Sequence, residues 1–319
     1  MMTAFGPSQR RVGDNLPAAG ELQGFAVQCL FGIPVHVCTM AQAVAACDRA
    51  VAARDRLTIG VVNAAKVVHL RHDPELRQAV LSCDLILADG QAVVWASRLL
   101  RRPLPERVAG IDLFTELLAQ AEARGQRVYF LGGTRAVLAD MLGRLRRDHP
   151  RLNVAGTQDG YFPPESAGRV AEQIRQADVD LLFVGMSSPG KERFLDAWGT
   201  QTRARVLHGV GGSFDVLSGK TRRAPARWQR LGLEWLYRLL QEPGRLWRRY
   251  LVTNVQFLLL TALELVRPQP AYARPVPIPT RTVVVVAPAS IALHVPAPRT
   301  PTTLDQDAAD PTHAQESRS

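Results

Sequence analysis

Repeatedly along this chain, a short apolar run stops on a small or polar residue and gives way to helical spacing. Leu57 to Val62 stops at Asn63, and Leu85 to Ala88 stops at Asp89-Gly90. Arg127 to Leu131 stops at Gly132-Gly133. Val179 to Val184 stops at Gly185, with Lys191-Glu192 beyond, and Val206 to Val210 stops at Gly211, with Asp215 beyond. Runs so short and so uniformly apolar are strands buried on both faces, the signature of a parallel sheet. Helices between them bring the chain back for each new strand. Ligands of such sheets sit at the carboxyl ends of the strands. Asn63, Asp89, Gly132, Lys191 and Asp215 are therefore expected to meet in one crevice.

The predicted fold class is α/β: a mostly parallel, doubly wound, Rossmann-like sheet flanked by helices. Asp89 has two readings. It points into the crevice as a catalytic carboxylate, or it caps the helix that follows it, Ala92 to Leu100. Arg107 sits in the loop PLPERVAG, either as a solvated loop residue or as a charge near the crevice. Gly132-Gly133 lets backbone approach a ligand at a helix start, a setting suited to phosphate. There is no phosphate-binding P-loop and no dinucleotide fingerprint with an acidic partner, so a nicotinamide enzyme is a poor fit.

Composition narrows the partners. The net charge of +10 and pI of about 10.2 point to something anionic: nucleic acid, an acidic membrane surface or a phosphorylated substrate. Cys29, Cys38, Cys47 and Cys83 form no CxxC pair and read as reduced, mostly buried thiols of a cytosolic protein. No metal and no cofactor are expected. The start MMTAFGPSQRRVGDN lacks the apolar core of a signal peptide, and no stretch has the roughly 18 apolar residues of a membrane span.

Four regions follow. Residues 1–25 are a flexible leader, 26–220 the α/β core, 221–267 a helical Arg- and Trp-rich segment, and 268–319 a Pro-rich disordered tail. In the third region Arg222, Arg223, Arg238, Arg245, Arg248 and Arg249 are interleaved with Trp228, Trp235, Tyr237, Trp247 and Tyr250, and Phe257 to Leu260 follows. That pattern fits an interfacial element whose aromatic rings sit at headgroup depth and whose arginines meet lipid phosphates. A helical subdomain packed on the core is the plainer alternative. RNA binding is disfavoured, because the basic residues adjoin an apolar helix and no RNA-binding motif is present.

Residues from about 33 to 250 resemble the WecG/TagA/CpsF family of bacterial glycosyltransferases. The resemblance rests on Asn63, ADG at 88–90, ERVAGIDL at 106–113, FLGG at 130–133, the proline-lysine-glutamate cluster at 189–192 and GVGGSFD at 209–215. RRAP at 222–225, GLEWLYRLLQEP at 232–243 and RRY at 248–250 extend it. Each is weak alone; their order along the chain is specific. The resemblance implies an inverting, metal-independent hexosyltransferase. Its donor would be a UDP-sugar, its acceptor a sugar on a polyprenyl diphosphate, and its place the cytoplasmic face of the inner membrane, in exopolysaccharide or cell-surface glycan assembly. It implies Asp89 as general base and Arg107 against the leaving diphosphate. Asn63, Gly90, Gly132, Gly133, Lys191, Glu192, Gly211 and Asp215 would bind substrate, and the six arginines would contact lipid diphosphate or membrane. The family commonly has Thr where this chain has Val61 and Gln where it has Lys191. Either change can alter the donor, so N-acetylmannosamine and glucose types both stand. The alternative from another class is a non-catalytic nucleotide- or lipid-phosphate-binding module at the membrane. Nucleic acid is not expected as a partner; self-association is left open.

Overall fold

A parallel strand buried on both faces needs helices above and below it, and the chain supplies them in alternation. The computed structural model describes residues 24–274, so the leader through residue 23 and the tail from 275 lie outside the described residues. A hairpin comes first, β1 (Val27–Leu30) with β2 (Ile33–His36). Then follow α1 (Met40–Ala53), β3 (Leu57–Val62), α2 (Ala64–His72), α3 (Pro74–Leu81) and β4 (Leu85–Ala88). The crossing to the other half of the sheet uses α4 (Gln91–Leu99) and α5 (Gly110–Arg124). Next come β5 (Arg127–Gly132), α6 (Arg135–Asp148), β6 (Asn153–Gln158), α7 (Ala167–Gln176), β7 (Leu181–Gly185), α8 (Gly190–Thr202), β8 (Val206–Gly209) and α9 (Ser213–Leu217). The C-terminal segment is α10 (Ala226–Arg230), α11 (Glu234–Gln241) and α12 (Pro243–Val266).

Six strands form one parallel sheet in the order β4-β3-β8-β7-β5-β6. The α/β expectation holds, and the period-2 alternation of strand side chains shows how. Leu85 and Leu87 face one core with α1, α5 and α6; Ile86 and Ala88 face another with α2, α3 and α4. The first core centres on Phe114, whose ring lies 4.5 Å from Phe183 and 5.8 Å from Phe214. A third core, with Val170, Ile174 and Phe194, covers the β5–β7 half. Cys38, Cys47 and Cys83 are buried in these cores and Cys29 is partly so, all as free thiols.

Two features lie beyond the sequence reading. The segment around Pro34 does not join the main sheet: β2 pairs with β1 alone. His36 instead reaches the outer edge of β4, where its Nδ1 accepts from the Ile86 N–H at 3.0 Å. Burial drives its pKa down to about 4, so the ring is neutral and can accept. Residues 268–274, expected to begin the tail, return to the hairpin. The Tyr272 N–H donates to Gly32 O, and Arg77 stacks on the Tyr272 ring.

The register decides where the site is. Val62 is level with Ala88, Val184 with Gly209, and Gly132 with Gly185. Parallel neighbours lie about 4.8 Å apart, so residues just past level strand ends become neighbours in space.

Candidate active site

A cleft of about 1320 Å³ opens over the carboxyl ends of β4, β3, β8 and β7, with α11 and α12 forming its far wall. Asn63 and Asp89 stand side by side at its floor, past adjacent strands. Asn63 caps α2, its Oδ1 accepting from the Lys66 N–H at 3.0 Å. That fixes the amide so that Nδ2 faces Asp89 Oδ2, 3.4 Å away. A Cβ on Gly90 would stand 3.1 Å from Asn63 Cβ, so this close approach favours glycine.

Asp89 does not cap its own helix. The N-cap of α4 is Gly90, and no side chain bonds there. The Asp89 carboxylate crosses instead to the first residue of α5, where Oδ1 accepts from the Gly110 N–H at 2.8 Å. The positive end of that helix favours an ionised carboxylate. Gly110 is held from the other side by His208 of β8, whose Nε2 is 3.0 Å from Gly110 O. A carbonyl only accepts, so Nε2 carries the proton. Burial pushes the His208 pKa down to about 4, against the opposing pull of the Gly110 bond, and the ring stays neutral. This support was invisible in the sequence, where His208 is one polar residue inside an apolar run.

Arg107 lines the cleft but is already engaged. Its Nη1 donates to Glu234 of α11 at 2.9 Å and its Nη2 to Asp112 of α5 at 3.4 Å. Arg223 completes the network, with Nη2 2.6 Å from Asp112 Oδ1 and Nε 3.7 Å from Glu234 Oε1. The Asp112 separation is short, yet neither Arg223 nitrogen has hydrogen-bond geometry. Both contacts are ion pairs. Two cations and two carboxylates balance, and they tie the C-terminal segment to the mouth of the core.

Lys66 and Lys191 also line the cleft, on α2 and in the first turn of α8. Both ammonium groups meet one oxygen, Glu192 Oε1, at 2.7 and 2.8 Å. Burial alone would raise the Glu192 pKa, but the two ammonium charges hold it down at about 2. Burial and the neighbouring Lys66 lower Lys191 to about 8, against the attraction of Glu192 and Asp89.

The remaining expected residues divide. Gly211, Arg222 and Arg238 line the cleft, and a Cβ on Gly212 would lie 3.5 Å from Arg238 Nη2, which places that guanidinium over the glycine loop. Glu192 lies behind the floor, in contact with the lysines. Gly132, Gly133 and Asp215 are not among the lining residues. A Cβ on Gly132 would fall 2.4 Å from the Gly185 carbonyl carbon, so this glycine serves the close approach of β5 and β7. Asp215 pairs with Lys220 at 3.3 Å. Arg248 is exposed, away from the lining, and the side chains of Arg245 and Arg249 lie outside the described residues.

The upper wall is apolar. Trp95 and Leu99 of α4 face Trp235 of α11 and Trp247, Leu251, Val255 and Leu258 of α12 across the opening. All seven are exposed. Helix α12 also buries Tyr250, Thr253, Phe257, Thr261 and Glu264, spaced three or four residues apart, as helical packing demands, and Tyr250, Phe257 and Thr261 reach the cleft from this row. No helix among the described residues is long and apolar enough to cross a membrane.

The model of the Glycosyl transferase WecG/TagA/CpsF family matches residues 28–271, the sheet and the C-terminal helices together. The chain belongs to this family. A relative from Bacillus spizizenii is 41% identical over 179 residues, covering 56% of this chain and 68% of the relative. That relative is an N-acetylglucosaminyldiphosphoundecaprenol N-acetyl-beta-D-mannosaminyltransferase. In this WecG/TagA/CpsF protein the cleft presents a carboxylate held by two donors, cations nearby and an apolar upper wall.

Proposed function

We propose that the protein is an inverting hexosyltransferase, moving an N-acetylmannosamine- or glucose-type sugar from a UDP donor to a sugar carried on a polyprenyl diphosphate. The observation that carries this reading is Asp89, fixed by Gly110 and Asn63 at the floor of a cleft whose upper wall is apolar. Asp89 takes the proton of the acceptor hydroxyl as its oxygen attacks the anomeric carbon. The bond from that carbon to the UDP oxygen breaks, and UDP departs with the electron pair. A single base opposite the leaving group gives inversion. The relative's name specifies a β-linked sugar, which is the product inversion gives from an α-linked donor.

Arg107 stabilises the charge that develops on the leaving diphosphate, exchanging Glu234 or Asp112 for phosphate oxygens as substrate enters. A planar, always-charged donor suits that task. Asn63, Gly90, Lys191 and Gly211 contact substrate around the floor. Arg222, Arg223 and Arg238 face the acceptor's diphosphate, and the exposed Arg248 meets lipid headgroups. The apolar wall takes the first isoprene units. Leu259, Leu263 and Val266 extend the exposed apolar surface of α12, as on a helix that lies in a membrane interface. We place the protein at the cytoplasmic face of the cell membrane, in exopolysaccharide or cell-surface glycan assembly.

The test is transfer itself. Purified protein is given UDP-N-acetylmannosamine, UDP-N-acetylglucosamine and UDP-glucose in turn, with a short-chain polyprenyl-diphosphate-linked N-acetylglucosamine. Turnover with one donor and a product of inverted anomeric configuration is expected. Binding of every donor with turnover of none would leave only a non-catalytic module.

A further inference from the structure

The strongest unexplained feature of the cleft is two buried lysines that share one carboxylate oxygen. Lys66, Lys191 and Glu192 are only 7%, 8% and 6% exposed. Burying charge is costly unless it is matched, and here two positive groups face one negative one. Each ammonium has three N–H donors. Lys66 donates one to Glu192 Oε1, Lys191 is ion-paired with the same oxygen at 2.8 Å, and among the described residues neither ammonium has a further hydrogen-bond partner. The unspent donors belong to residues that line the substrate cleft.

The surroundings do not supply the missing acceptor. Asp89 is another carboxylate whose charge reaches Lys191, but among the described residues its hydrogen bonds come from Gly110 and Asn63 and not from either lysine. His208, on β8, is neutral. The Cys83 thiol, on the far side of Lys66, is pushed up to about 12 by burial and carries no charge. Glu192 Oε2 is buried and has no hydrogen-bond partner among the described residues. Gly209 keeps the arrangement open: a Cβ there would stand 3.1 Å from Lys191 Cδ, and one on Gly211 would stand 3.7 Å from Lys191 Nζ. The other cations of the inner cleft, Arg107 and Arg223, already face Asp112 and Glu234.

We propose that Lys66 and Lys191, braced by Glu192, form a seat for a diphosphate, so that Lys66 is a substrate-binding residue of this enzyme. The inference deepens the transferase reading and rests on it for the source of the diphosphate. Both substrates of that reaction carry one, and the donors fit either, as the leaving group of the nucleotide or as the linkage of the lipid acceptor. A phosphate oxygen meets two ammonium groups by charge-assisted hydrogen bonds, the strong kind. Glu192 keeps the two ammonium groups together until phosphate arrives.

Calorimetric titration of the full-length protein tests this with four probes: UDP, uridine, farnesyl diphosphate and farnesol. Lys191→Gln and Lys66→Gln retain a donor toward Glu192, and a thermal melt checks that each variant folds. We expect both variants to weaken one of the two diphosphates at least about tenfold, which is about 1.4 kcal/mol. The phosphate-free relative of that probe should stay within about twofold. Loss for UDP alone assigns the seat to the donor, and loss for farnesyl diphosphate alone assigns it to the acceptor. Unchanged affinity for both diphosphates in folded variants, or equal loss for diphosphate and phosphate-free probe, overturns the seat. Sugar transfer measured on the same wild-type protein separates the two ideas. Turnover with lysine-independent binding sinks the seat alone. Lysine-dependent binding without turnover sinks the transferase reading and leaves the seat standing.

Discussion

The floor and the far wall of the cleft are held by different forces. The floor is strand ends and helix starts, fixed by backbone register, by Asn63 and Gly110 around Asp89, and by the aromatic core of Phe114, Phe130, Phe183 and Phe214 below. The wall is α11 and α12, joined to the floor by the ion pairs of Arg107 and Arg223 and by the face of α12 that packs on α2. Its other face is apolar and open. The contrast teaches a division of labour. In the proposed reaction, the carboxylate that needs a fixed point sits on the sheet, and the lipid would meet helices that keep an apolar face uncovered.

That contrast can be broken in several places. Phe114→Ala removes the centre of the aromatic core and should cost about 3–5 kcal/mol in chemical unfolding. A cost under about 1 kcal/mol would mean that the floor is not held by that core. Arg107→Ala should slow sugar transfer by more than about tenfold, roughly 1.4 kcal/mol in the barrier, while leaving the fold intact by circular dichroism. A smaller effect would reduce Arg107 to a tie between floor and wall.

The floor should also be acid-sensitive. His36 and His208 have pKa values lowered by burial to about 4 from 6.5, so the unfolded chain binds more protons between those values. Stability conferred by the neutral rings is complete above about pH 6.5 and is lost as pH falls toward 4. Melting temperature measured across that window should fall with pH in the wild type. His208→Gln should flatten the fall, and an unchanged slope would argue against a neutral His208.

The smallest stability effect is expected on the wall. Leu251→Ser with Leu258→Ser touches exposed positions and should change folding stability by less than about 1 kcal/mol. It should nevertheless reduce sedimentation with anionic liposomes. Full sedimentation of a folded double variant would remove the apolar face from the membrane account.

Much of the floor was legible in the sequence because parallel strands are apolar throughout and end abruptly. Asn63 and Asp89 follow such runs, and level strand ends make them neighbours. The hairpin strand Val27–Leu30 was not legible, since only Leu30 is buried and the strand carries no alternation. Gly132 shows why a glycine at a strand end is ambiguous: a ligand approaching backbone and a strand approaching backbone demand glycine equally. Lys66 was missed because a lysine on a short helix usually faces water. Its partner Glu192 is 126 residues away, and no local pattern records that pairing. His208 was hidden likewise, as its bond to Gly110 spans 98 residues.

The proposed reaction turns on Asp89 as the base. The most direct measurement is single-turnover transfer by Asp89→Asn, with UDP-sugar and lipid-diphosphate acceptor both saturating. Asparagine can keep the contact to Gly110 but cannot take a proton at neutral pH. The predicted result is a folded protein with unchanged UDP affinity and a transfer rate at least about a hundredfold lower, the scale of general base catalysis. A folded Asp89→Asn protein that transfers sugar at nearly the wild-type rate would contradict the account.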